Sequence, residues 1–112
     1  MADDRKIIKA KFYRSDTDKL PVREWLTKLP RGDQKIIGDD IRTVEFGWPI
    51  GMPLARPLGN RLWEVRSDLE NGRTARILFT IHKNQMLLLH GFIKKSQKTS
   101  GKDMDIARKR MK

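Results

Sequence analysis

The spacing of apolar residues changes several times along the chain, and each change marks an element. Over residues 6–14, "KIIKAKFYR", Ile7, Ile8, Phe12 and Tyr13 stand among basic residues. This predicts a first strand, with an irregularity near Ala10. "SDTDKLP" is turn material with an N-cap option at Asp18, and Pro21 suits the first turn of a helix. Val22, Trp25, Leu26 and Leu29 then fall at i, i+3, i+4 and i+7, one apolar helical face that Pro30 and Gly32 bring to an end. A second helix is predicted over residues 33–45. Ile37, Ile41, Val44 and Trp48 mark its buried side, and Lys35, Asp39, Arg42 and Glu45 its wet side.

"GWPIGMPLARPLGN" holds three prolines and three glycines in 14 residues and reads as a connector, long enough to line a site itself. Period two begins after it. In "RLWEVRSD" (61–68), Trp63 and Val65 alternate with Leu62, Glu64 and Arg66. "DLENGR" carries an Asn-Gly turn signal. In "RTARILFTIH" (73–82), Ala75, Ile77, Phe79 and Ile81 oppose Thr74, Arg76, Leu78 and Thr80. After the turn "HKNQ", "MLLLHGFIKK" (86–95) is apolar on both faces, as a central strand should be. A last helix over residues 101–110 has Met104, Ile106 and Ala107 as its apolar residues and a basic end.

The order β-α-α-β-β-β-α predicts an α+β fold, residues 1–112 forming one domain. Two helices should cover one face of a twisted antiparallel sheet, because Trp63, Val65, Ile77 and Phe79 need a partner layer. The other face would carry Glu64, Arg66, Thr74 and Arg76, a polar, cationic floor.

Charge sharpens this picture. Lys and Arg number 25 against 14 Asp and Glu, a formal net charge of +11, and a net +6 of it lies in the 19 positions from Lys94 to Lys112. Such an excess draws in polyanions. There is no cysteine, which rules out disulfides and thiolate metal sites. The longest apolar run is Met86 to Leu89, too short to span a bilayer or serve as a signal peptide. A soluble cytoplasmic protein is expected, with no membrane partner.

His82 and His90 are the only histidines, and no Asp/Glu/His cluster has metal-ligand spacing. Neither GxxxxGK[ST] nor GxGxxG occurs, nor a nucleophile elbow. What remains is positive charge on a sheet, interspersed with hydroxyls and amides, which suits a phosphodiester backbone. Each feature has a plainer counterpart. Arg66 and Arg76 also fit ordinary exposed strand residues, His90 a hydrogen-bonded interior residue, the Lys94–Lys98 run a solvated strand exit, and the three tryptophans the core.

The succession "LWEVR", "GRTARILFTI", "LLLHGFIKKSQKTS" and "DIARKRM" resembles the RelE/ParE toxin superfamily, and within it the HigB-like, phage-derived branch. The resemblance spans residues 7–110 in element order, and its specific part is 62–99. It implies a microbial-ribonuclease-type fold, with two N-terminal helices packed on a curved antiparallel sheet and a C-terminal helix. It implies a type II toxin, an endoribonuclease that cleaves mRNA on the ribosome by metal-independent attack of a 2′-hydroxyl, with no cofactor. The expected partner is a helix-turn-helix antitoxin of the HigA/Xre type, through which alone operator DNA would be met. Trp48, Ile50 and Met52 are candidate apolar anchors for it.

Carried over by position, the resemblance makes Arg76, Lys95 and Arg66 the catalytic candidates. Arg73, Lys94, Gln97, Lys98 and His90 are the candidates for holding substrate. The chain departs from the pattern in one respect: its single tyrosine is Tyr13, and neither tyrosine nor histidine follows His90. A lysine crowded by Lys94, Lys95 and Arg76 is one candidate for the missing proton-transfer group. Two other functions stay open: a ParE-type toxin that inhibits DNA gyrase by binding, and a non-catalytic nucleic-acid-binding module.

Overall fold

A computed structural model describes residues 5–94 and 99–111. β1 (Lys9–Phe12) is followed by α1 (Pro21–Thr27) and α2 (Arg31–Gly47), then by β2 (Ala55–Gly59), β3 (Leu62–Asp68), β4 (Thr74–His82), β5 (Gln85–Lys94) and α3 (Gly101–Met111). The five strands form one sheet in the order β1-β5-β4-β3-β2. The α+β class and most elements follow the sequence pattern, with three corrections.

The sheet is mixed rather than antiparallel, because β1 runs parallel to β5. The two helices between β1 and the later strands carry the chain back across the sheet, as a parallel pairing requires. As an edge strand, β1 leaves N–H groups without a strand partner, and α2 supplies one. Ala10 N donates to Glu45 Oε2 at 2.7 Å, and Lys6 Nζ lies 3.2 Å from Glu45 Oε1. Glu45, expected to face water, is therefore buried.

The second correction is β2. The Pro/Gly connector contains a strand, paired antiparallel with β3 and joined to it through Asn60 and Arg61, both at positive φ. Pro57 is tolerated there because β2 is the other edge of the sheet.

The third concerns the two faces. Ile37, Ile41 and Val44 of α2 and Val22 of α1 pack with Val65, Ile77, Phe79, Met86 and Leu88 on one side. Trp48 meets Trp63 and Phe79 edge-on, with centroids 4.8 and 5.8 Å apart. The opposite side is not an open floor. Leu62, Leu78 and Leu89 form a second, smaller core with Ala107 of α3, flanked by Tyr13, Phe92 and Met111.

A β-bulge makes this possible. Leu78 pairs with His90 but Phe79 pairs with Leu88, so Leu89 is an extra residue in β5. Beyond it the alternation changes phase, with Gly91 and Ile93 towards α1 and α2, and Leu89 and Phe92 among the residues packed under α3.

Candidate nucleic-acid interface

Cross-strand register gathers the predicted polar residues. Arg66 pairs with Arg76, and Arg76 with Phe92; Leu78 stands between Glu64 and His90, and Thr74 between Asp68 and Lys94. These rows share the face on which α3 packs, so Arg66, Arg76, His90 and Lys94 lie near one end of the sheet; alternation predicts this face for Arg66 and Arg76.

Their exposure differs from the expectation. Arg76 is fully buried. Its Nη1 donates to Thr99 Oγ1 at 3.1 Å and lies 3.7 Å from Glu64 Oε2. The Thr99 hydroxyl in turn donates to Glu64 Oε2. Burial pulls the guanidinium down from its ordinary value; Glu64 opposes this, while Arg66 and Arg56 add to it. An arginine stays charged under such pressure, and the ion pair with Glu64 is what makes that charge tolerable inside the protein.

Arg66 is half-buried and lines a cleft of about 360 Å³ with Ile36, Asp40, Pro53, Leu54 and Asp68. Two of those residues, Pro53 and Leu54, belong to the connector, which does line a cavity. Arg73 is taken out of the group. Its Nη1 and Nη2 bond to Asp33 Oδ2 and Oδ1 at 2.9 and 3.1 Å, and its Nε donates to the Glu70 carbonyl at 3.1 Å. Because it precedes β4 by one residue, it points to the helical side and ties the Asn-Gly turn to the first turn of α2.

His90 and Lys94 meet a residue that the sequence reading passed over. His90 Nε2 lies 2.8 Å from Asp103 Oδ1, and Lys94 Nζ lies 3.7 Å from Asp103 Oδ2. Between them on β5, Phe92 stacks on the His90 ring at 5.5 Å, and Lys94 Nζ sits 5.6 Å from the Phe92 centroid. Ser100 Oγ donates to Asp103 Oδ2 at 2.5 Å and accepts from Asp103 N at 3.2 Å. Burial would push the Asp103 carboxyl up. The bond from Ser100, then the bond and charge of His90 and the charge of Lys94, outweigh it and hold the group below its usual range.

A family model described as "Phage derived protein Gp49-like (DUF891)" matches residues 24–112, from within α1 through every later element. The chain belongs to this family. Gp49-like proteins are a RelE/HigB-like toxin family, consistent with the toxin of a toxin–antitoxin system. No curated protein matches the chain.

In this Gp49-like chain the cluster offers three kinds of group within a few residues. It has fixed cations in Arg66, Arg76 and Lys94, an imidazole held by a carboxylate, and hydroxyls in Thr99 and Ser100. Lys95, Gln97 and Lys98 lie outside the described residues. Among the described residues no three His, Asp or Glu side chains gather as metal ligands, and no helix is long and apolar enough to cross a membrane. One signal for Asp103 was present in the sequence. Ser100-x-x-Asp103 has the spacing of a capping box at the start of a helix. Thr99 and Glu64 gave no such signal, because their partnership depends on α3 folding back over β3 and β4.

Proposed function

We propose that the chain is the toxin of a type II toxin–antitoxin system, of the HigB-like branch and with a RelE-like fold, and that it cleaves mRNA on the ribosome in the cytoplasm. The observation that carries this reading is the convergence of Arg66, Arg76, Lys94 and His90 at one end of the sheet. Cleavage proceeds by attack of a 2′-hydroxyl on the adjacent phosphorus, without a metal. Lys94 supplies positive charge where the phosphorane gains negative charge, and Arg76, buried beneath the surface, adds to the field there without touching the phosphate. Arg66 holds a flanking phosphate from the rim of its cleft. Lys95, Gln97 and Lys98, next in the sequence, add two cations and an amide for RNA in this reading. An acidic surface on a helix-turn-helix antitoxin meets the +11 chain, since opposite potentials speed encounter and bias partner choice.

One observation favours a second reading. Arg76 is fully buried and bonded to Thr99, which suits a structural arginine in a ParE-type toxin that inhibits gyrase by binding. Inducing the chain in bacteria separates the two. The ribonuclease reading expects new mRNA 5′ ends within minutes of induction and unaltered plasmid supercoiling. Altered supercoiling without new 5′ ends would establish the gyrase reading instead. Growth arrest that persists in an Arg66→Ala, Lys94→Ala variant would also count against cleavage by this cluster.

A further inference from the structure

The proposed reaction needs a group to take the proton of the 2′-hydroxyl. Resting on the ribonuclease reading, we propose that His90 is this general base, acting through Nδ1, and that Asp103 is its positioning residue.

The geometry assigns the tautomer. Asp103 Oδ1 faces His90 Nε2 at 2.8 Å, and the other carboxylate oxygen is taken by Ser100 at 2.5 Å and approached by Lys94 at 3.7 Å. A carboxylate so placed accepts, so Nε2 carries a hydrogen, and in the neutral ring it is Nδ1 that keeps the lone pair. Nδ1 makes no hydrogen bond among the described residues. Phe92 stacks on the ring and fixes its plane. The imidazole lies diagonally across the β4–β5 pair from Arg76, with Phe92 directly opposite that arginine and Lys94 on the other diagonal. Diagonal positions lie roughly 7–8 Å apart, so the part-exposed Lys94 and the buried charge of Arg76 both lie close to the imidazole. His82, the other histidine, stands at the far end of β4, opposite Gln85.

The charged groups facing the imidazole are Asp103 from α3, Lys94 from its own strand and Arg76 from β4. Glu64 lies one strand further away, and Arg110 of α3 is bonded to the Leu89 carbonyl at 2.7 Å. In the reaction, the 2′-oxygen bonds to phosphorus as its proton passes to Nδ1. The bond from phosphorus to the 5′-oxygen breaks, and that oxygen takes a proton from water. The imidazolium, stabilised by Asp103, then returns its proton to solvent. The products are a 2′,3′-cyclic phosphate and a 5′-hydroxyl.

The test is single-turnover cleavage of ribosome-bound mRNA by the purified full chain across a pH series, with melting curves confirming that each variant is folded at the assay temperature. Wild type should lose rate on acidification. His90→Gln should fall by about 10²–10⁴-fold and lose that acid limb. Asp103→Asn should also fall and shift the limb, because an amide can donate to Nε2 and so move the ring hydrogen to Nδ1. A purely structural latch would alter the melting curve and leave the pH profile in place. Folded His90→Gln that cleaves with the wild-type profile would overturn the proposal and leave the ribonuclease reading standing. If His90→Gln does not fold, an Asp103→Asn profile identical to wild type overturns it equally. Wild type that generates no 5′-hydroxyl ends at any pH overturns the ribonuclease reading, and the base assignment with it.

Discussion

Gly91 lies directly under the indole of Trp25. A Cβ built on Gly91 would stand 2.6 Å from both Cε3 and Cζ3 of that ring. Gly91 pairs with Ile77 in the middle of the sheet, so the missing side chain is what lets α1 come down onto β5.

Gly91→Ala should therefore destabilise the fold. Overpacking of this kind costs about 1–3 kcal/mol, and here either the Trp25 ring or the whole of α1 must shift. Urea unfolding should show a lower midpoint at an unchanged slope. A midpoint equal to wild type would mean that α1 is seated less firmly than the contact implies.

Arg73 grips Asp33 with two nitrogens while its third bonds to the Glu70 carbonyl. Arg73→Ala should accordingly lower the melting temperature by freeing the turn between β3 and β4 from α2. It should leave the salt dependence of the proposed RNA binding unchanged, since the guanidinium is committed on the helical side of the sheet. Asp33→Ala should lower stability in the same way, and the double variant should lose less than the two single losses combined. A reduced salt slope in Arg73→Ala would instead return this arginine to the proposed RNA-binding surface.

The fold was legible where one face of an element decides its sequence. Val22, Trp25, Leu26 and Leu29 announce α1, and the period-two runs around Trp63 and Ile77 announce β3 and β4. Legibility failed where partners come from distant parts of the chain. Nothing in "ARPLG" distinguishes β2 from a loop, because an edge strand rich in Pro and Gly lacks alternation of its own. The parallel pairing of β1 depends on the α1–α2 excursion, which sequence period does not orient. For the candidate site, alternation put Arg66 and Arg76 on one face, where they pair; the faces of His90 and Lys94 depend on the bulge at Leu89, which alternation does not show. Their burial was hidden, because α3 has few apolar residues and covers the sheet largely through Ala107, with Phe92 and Met111 at the margin.

Burial changes what is expected of Arg76→Ala. On an open floor the truncation would be harmless to the fold. Inside the protein it removes the cation beside Glu64, a carboxylate that is itself fully buried. Breaking a buried pair from one side costs about 3–5 kcal/mol, so the variant should unfold at a much lower urea concentration. Adding Glu64→Gln should recover part of the loss by removing the stranded charge. If Arg76→Ala melts like wild type, the Arg76–Thr99–Glu64 chain is not holding α3 in place.

Two carboxylates should respond to acid with opposite sign. Asp103 is held below its usual range, so in the folded protein it releases its proton more readily than in the unfolded chain, where such a group titrates near roughly 3.9. Its stabilising contribution is complete above that value and fades as pH falls through the folded-state pKa. Asp40, in the cleft beside Arg66, is pushed up by burial and by its neighbours Asp39 and Asp68, against a hydrogen bond from Ser67. As a charged group it therefore weakens the fold at neutral pH, and the penalty disappears as pH falls through its raised pKa. Asp103→Asn should melt below wild type near neutrality and Asp40→Asn above it, and both differences should shrink on acidification. Melting curves collected from about pH 7 down to about pH 3 would settle the signs. A destabilised Asp40→Asn would show that its bond with Ser67 outweighs its desolvation.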